Sequence, residues 1–110
     1  MLFDKELIVD VEDKITNIKN RILEEIKPEK ILYYRTTHLH LFVVLWDVEM
    51  SNYEKHIYLR KILRTVTIPF DVTTYTNEGF KRALQEQIYP TADIAKFGTT
   101  LYEKIIYEDN

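Results

Sequence analysis

Cysteine is absent from these 110 residues, so the chain has no disulfide framework and no thiolate metal site. That absence suits a reducing compartment, and a cytoplasmic location is the expectation. Two glycines and three prolines leave few irregular loops. The longest apolar run, Leu39 to Trp46, is interrupted by His40 and is far too short to span a bilayer. The opening residues, Met1-Leu-Phe-Asp-Lys-Glu6, lack a basic start followed by an apolar segment, so no signal peptide is expected. An excess of positive charge is missing too. The net charge of −3 gives no bulk attraction to nucleic acid, and neither nucleic acid nor membrane is an expected partner. What remains is one domain over 1–110 of ordinary apolar content, 45%. A domain of this length buries roughly two-thirds of its unfolded surface without needing staples.

The organising stretch is Lys30 to Trp46. It reads as two strands, Ile31 to Arg35 and about Leu39 to Asp47, joined at Thr36, Thr37 and His38. Alternation puts Leu39, Leu41, Val43 and Leu45 on one face and His38, His40, Phe42, Val44 and Trp46 on the other. Both faces are largely apolar, which predicts a central strand.

Before it, Ile8, Val11, Ile15, Ile18, Ile22 and Ile26 recur at helical spacing, predicting a helix over 5–26 that Asp4 can cap and Pro28 ends. After it, Ser51-Asn-Tyr-Glu54 has the form of a capping box and opens a helix to about Val66. Leu59, Ile62, Leu63 and Val66 form its buried stripe. Lys55, Arg60, Lys61 and Arg64 are assigned to a basic outer face. A third strand is expected within Thr67–Thr76, then a helix from Asn77 to Gln87 capped by Thr76. Thr91 then caps a short helix through Lys96, closed by Gly98 in the left-handed region. A last strand covers Thr99 to Ile106, with Tyr107 to Asn110 as a tail. The tight turn makes the first two strands antiparallel; the helix between the second and third suits a parallel crossover. The expected fold is a mixed sheet packed with helices, α/β or α+β.

Several stretches, in this order and spacing, resemble the minimal nucleotidyltransferase domains of the DNA polymerase beta superfamily. They are Ile26-Lys-Pro-Glu-Lys-Ile-Leu32, Leu41-Phe-Val-Val-Leu45, Leu59-Arg-Lys-Ile-Leu63, Ile68-Pro-Phe-Asp-Val-Thr-Thr-Tyr-Thr76 and Gly98-Thr-Thr-Leu-Tyr-Glu103. The resemblance implies a nucleotidyltransferase-like mixed sheet. It also implies a Gly-Ser loop after the first strand to cradle phosphates, and three carboxylates holding two magnesium ions for in-line phosphoryl transfer. Here Tyr34-Arg35 stands where Gly-Ser belongs, and His38-Leu-His40 stands where Asp-x-Asp belongs. Only Asp71 matches a carboxylate position. Magnesium wants hard, anionic oxygen ligands, so the expectation is loss of metal-dependent transfer: a pseudoenzyme.

Such a chain would work through a protein partner. Small members of the family often act as the antitoxin beside a helical HEPN-type ribonuclease, so an antitoxin-like role with such a toxin is what the resemblance implies. A homodimer through the exposed hairpin edge is the other partner reading. Two alternatives stand beside these. One is nucleotidyl or adenylyl transfer retained at an altered His38, His40 and Asp71 site holding zinc or manganese. The other is an ATP or metal sensor without turnover. Tyr34 and Arg35 are the candidate nucleotide contacts. The plain readings are histidines at a strand end, an arginine paired with a nearby acid, and strand aromatics in a core. No serine, cysteine or lysine stands beside a convincing general base.

Overall fold

The computed structural model describes residues 3–105, with side chains described from Val11 onward. The Asp4 cap and the Ile8 side chain therefore lie outside the described side chains, as do Ile106 and the 107–110 tail. Helix α1 (Phe3–Glu25) leads to the antiparallel strands β1 (Lys30–Arg35) and β2 (His40–Leu45). Helix α2 (Asn52–Ile62) crosses to β3 (Phe70–Tyr75), which lies parallel to β2. Helices α3 (Asn77–Gln85) and α4 (Thr91–Phe97) then lead to β4 (Thr99–Glu103), antiparallel to β1. The sheet order is β3-β2-β1-β4. The mixed α/β fold and the central place of β2, buried along its whole length, are as expected.

The sheet sits between two helical layers, and alternation along β2 builds both cores. Phe42, Val44 and Trp46 face Ile15, Ile18 and Ile22 of α1 and Leu59 and Leu63 at α2. Leu41, Val43 and Leu45 face Ile94 of α4, with Phe80 of α3 packed alongside. The isoleucine spacing of α1 is what makes this burial possible, since residues three and four apart share a helix face.

Five expectations need correction. Thr91 does not cap α4: it is the buried first residue of the helix, and Pro90 holds the cap position with no side-chain hydrogen bond. The hairpin has no open edge, because β1 and β2 are the two inner strands and the edges belong to β3 and β4. Lys55 is not on the outer face. It is 0% exposed, with its ammonium donating to the Trp46 carbonyl and lying 5.9 Å from the Trp46 ring centroid. It precedes Leu59 by one helical turn, so its position belongs to the buried stripe. Gly98 is extended, with φ −79°, not left-handed. A Cβ there would lie 2.5 Å from the Ile94 carbonyl oxygen and 2.6 Å from that of Tyr33, so glycine is demanded by close approach of backbone. Finally, only the serine half of the capping box is made. Ser51 Oγ accepts from the Glu54 amide at 3.1 Å, and the Glu54 carboxylate does not return the bond.

Candidate functional site

The residues singled out in the sequence lie at one end of the sheet, where β1 ends and β2 and β3 begin. The hairpin closes there as tightly as its length allows. The Thr36 amide donates to the Leu39 carbonyl at 2.9 Å. The Thr36 hydroxyl accepts from the amides of His38 (3.3 Å) and Leu39 (2.9 Å). A threonine folded onto its own turn in this way fixes the bend locally. It places His38 in the exposed bend outside β2.

His40 opens β2 and is buried. Its amide donates to the Pro69 carbonyl at 3.0 Å. Its Nδ1 shares a 2.7 Å hydrogen bond with the Tyr33 hydroxyl, and the two rings stack 15° from parallel. Burial lowers the imidazole pKa below its ordinary 6.5, and the nearby Arg35 cation pushes it the same way. Burial also raises the Tyr33 phenol above its ordinary value, partly opposed by Arg35. The pair is thus held neutral, with one hydrogen bond internal to it.

Asp71 is on the adjacent strand, as expected, but it pairs with Leu41 while His40 pairs with Phe70. Neighbouring register positions point to opposite faces of a sheet. The carboxylate is already committed: Oδ1 accepts from Arg60 Nη2 and from the Val72 amide, each at 3.0 Å. Arg60 in turn lies 4.8 Å from the centroid of the Phe70 ring. His38, His40 and Asp71 are not brought together, and among the described residues no group of three histidine, aspartate or glutamate side chains is placed to hold a metal ion. Tyr34 faces the other way, packed with Leu32, Leu41 and Ile94 beneath α4, and Arg35 is exposed at the strand end.

The Asp71–Val72 contact has a second effect. The amides of His40 and Trp46 reach the carbonyls of Pro69 and Tyr75. In a parallel pair the odd-numbered residues of β3 therefore turn their backbone toward β2, and the amides of Phe70, Val72 and Thr74 face the open edge. Asp71 takes the Val72 amide and so blunts that edge.

Sequence reasoning missed two features. One is Lys55. The other is Arg21, whose guanidinium leaves α1 to donate to Thr65 Oγ1 and the Ile62 carbonyl. This strap lines two shallow grooves, one of about 420 Å³ between α1 and the segment 65–67 and one of about 440 Å³ between α1 and the end of α2. Both lie away from His40 and Asp71. No pattern marks Arg21, since it is one more charged residue on the polar side of an amphipathic helix.

Compared with known protein families, with curated proteins and with solved structures, the chain matches none. Among the described residues no helix is long and apolar enough to cross a membrane.

Proposed function

We propose that this chain is a catalytically inactive protein of nucleotidyltransferase fold that acts by binding another protein, in the manner of an antitoxin. One observation carries the reading. The position that should supply paired carboxylates supplies instead an imidazole bonded to the Tyr33 hydroxyl, and the remaining carboxylate, Asp71, is spent on Arg60 and Val72. A two-metal transfer site needs several anionic oxygens aimed at one point. A neutral imidazole and a carboxylate facing its own arginine are a poor donor set for that task.

The test has two arms. Incubation with labelled ATP and magnesium or manganese should transfer no label to protein or nucleic-acid acceptors. Co-expression with the product of an adjoining reading frame should give a complex that co-elutes and relieves that product's toxicity. Label transfer abolished by Asp71→Asn would overturn inactivity, and separate elution of the two proteins would overturn the antitoxin role.

A further inference from the structure

The outermost line of α2 is an unusual surface. Tyr53, Ile57, Arg60 and Arg64 follow one another at spacings of four, three and four, along the helix and the turn that continues it. That spacing places Tyr53, Ile57 and Arg60 on one narrow stripe of the helix, roughly opposite the stripe of Lys55, Leu59 and Leu63 that faces the core, and Arg64 follows in the turn just past the Leu63 cap. It is also the a/d spacing of a helix seam. Tyr53 is 74% and Ile57 48% exposed. Glu54 and Lys61 run along one flank of the stripe, seven residues apart. None of the ion pairs among the described residues involves Glu54, Lys61 or Arg64. The Glu54 carboxylate is left over from the unreturned capping bond. Arg60 is already balanced by Asp71. The face thus holds one unmatched acid near its start and two unmatched cations near its end.

We propose that this face pairs α2 with α2 of a second copy, antiparallel about a twofold axis. The pattern is complementary to itself when reversed. With the axis between Ile57 and Arg60, Tyr53 meets Arg64 of the second copy, a guanidinium over an aromatic ring, twice over. Ile57 meets the aliphatic stem of Arg60 of the second copy. Rotation about that axis keeps flanks together, so Glu54 meets Lys61 of the second copy, again twice. Closed twofold contacts of this isologous kind are the commonest in soluble oligomers. A parallel arrangement would set Arg64 against Arg64 and carry Glu54 and Lys61 to opposite sides of the pair, so charge selects the reversed one. One short helix pair covers less than a standard interface, so the dimer dissociates on dilution. The inference stands apart from the antitoxin reading, because it concerns copies of this chain; the seam and the strand end share only Arg60, whose guanidinium binds Asp71.

Sedimentation velocity of the full chain from micromolar to millimolar concentration tests it. The mass should rise toward that of a dimer. Ile57→Asp should weaken association about tenfold or more by setting a carboxylate in the seam. Lys61→Glu should weaken it about fivefold, by replacing two attractive pairs with two repulsive ones. The double variant Glu54→Lys with Lys61→Glu should bring association back to the parent's. Thermal melts of each variant separate lost pairing from lost folding, since all three positions are outside the core. A monomer at every concentration would overturn the proposal. So would a dimer indifferent to Ile57→Asp, or a double variant no better than Lys61→Glu alone.

Discussion

The Tyr33 hydroxyl and His40 Nδ1 lie 2.7 Å apart on neighbouring antiparallel strands, on a diagonal: His40 is opposite Arg35 in the last pair before the turn, and Tyr33 is opposite Phe42. Burial of the imidazole here makes the protein sensitive to acid in a definite direction. In the unfolded chain His40 titrates near its ordinary 6.5; in the folded chain burial, aided by Arg35, holds it lower. The stability this neutral imidazole contributes is therefore complete above about 6.5 and is lost as pH falls below that value toward the folded pKa. Urea unfolding at a series of pH values should show stability declining on acidification. In His40→Gln that part of the slope should vanish. An NMR titration placing His40 above 6.5 in the folded protein would contradict the account.

Lys55 separates charge from volume. Its stem fills space in the core while its ammonium makes one hydrogen bond, to Trp46. Lys55→Met keeps the stem and removes the buried charge, so stability should be unchanged or rise by up to about 2 kcal/mol. Lys55→Ala empties the site and should cost about 2–4 kcal/mol. Chemical denaturation of the two variants decides it, and equal losses in both would show that the ammonium itself holds α2 in place.

Gly98→Ala should be severe although its backbone angles suit any residue. The atoms its Cβ would strike are the carbonyl oxygens of Ile94 and Tyr33, which are backbone and cannot swing aside. A loss of about 2–3 kcal/mol is expected, read from the shift in denaturation midpoint. Gly79→Ala is the milder comparison: the tightest contact there is the Thr76 hydroxyl at 3.2 Å, which caps α3 by accepting from the Gly79 amide and need shift only slightly.

Asp71→Ala should cost little stability, on the order of 1 kcal/mol, since the Arg60 pair is half exposed and screened by water. Its larger effect should be on solubility. With the carboxylate gone, the Val72 amide is free at the edge of β3. Light scattering should show assemblies larger than a dimer that grow with concentration, absent from Asp71→Asn, whose side-chain oxygen can still accept that amide.

Much of this architecture is legible from residue order alone. The unbroken apolar run through β2 marks an inner strand, and the lengths of the two connections decide which neighbour is parallel. Two things were not legible. Lys55 sits at the right spacing to be buried, but lysine reads as surface because nothing local announces the Trp46 carbonyl that accepts its hydrogen bond. The grouping of His40 with Asp71 depended on inter-strand register. A shift of one residue decides whether the carboxylate shares the imidazole's face, and the structure pairs it with Leu41. The same blindness hid where the last strand, expected from its own residues, would dock, beside β1. Its partner lies at the far end of the chain, and no nearby pattern says which side of the hairpin it will cover.

That distant pairing shapes how the molecule must be made. β1 gains its second neighbour only when Thr99 to Glu103 exist. Until then the hairpin hangs from the ribosome with one flank of amides and carbonyls bare, through the synthesis of every helix after the first. A chain cut after Phe97 would keep that flank uncovered permanently, and aggregation on release is its expected fate, measurable by pelleting of the truncated product.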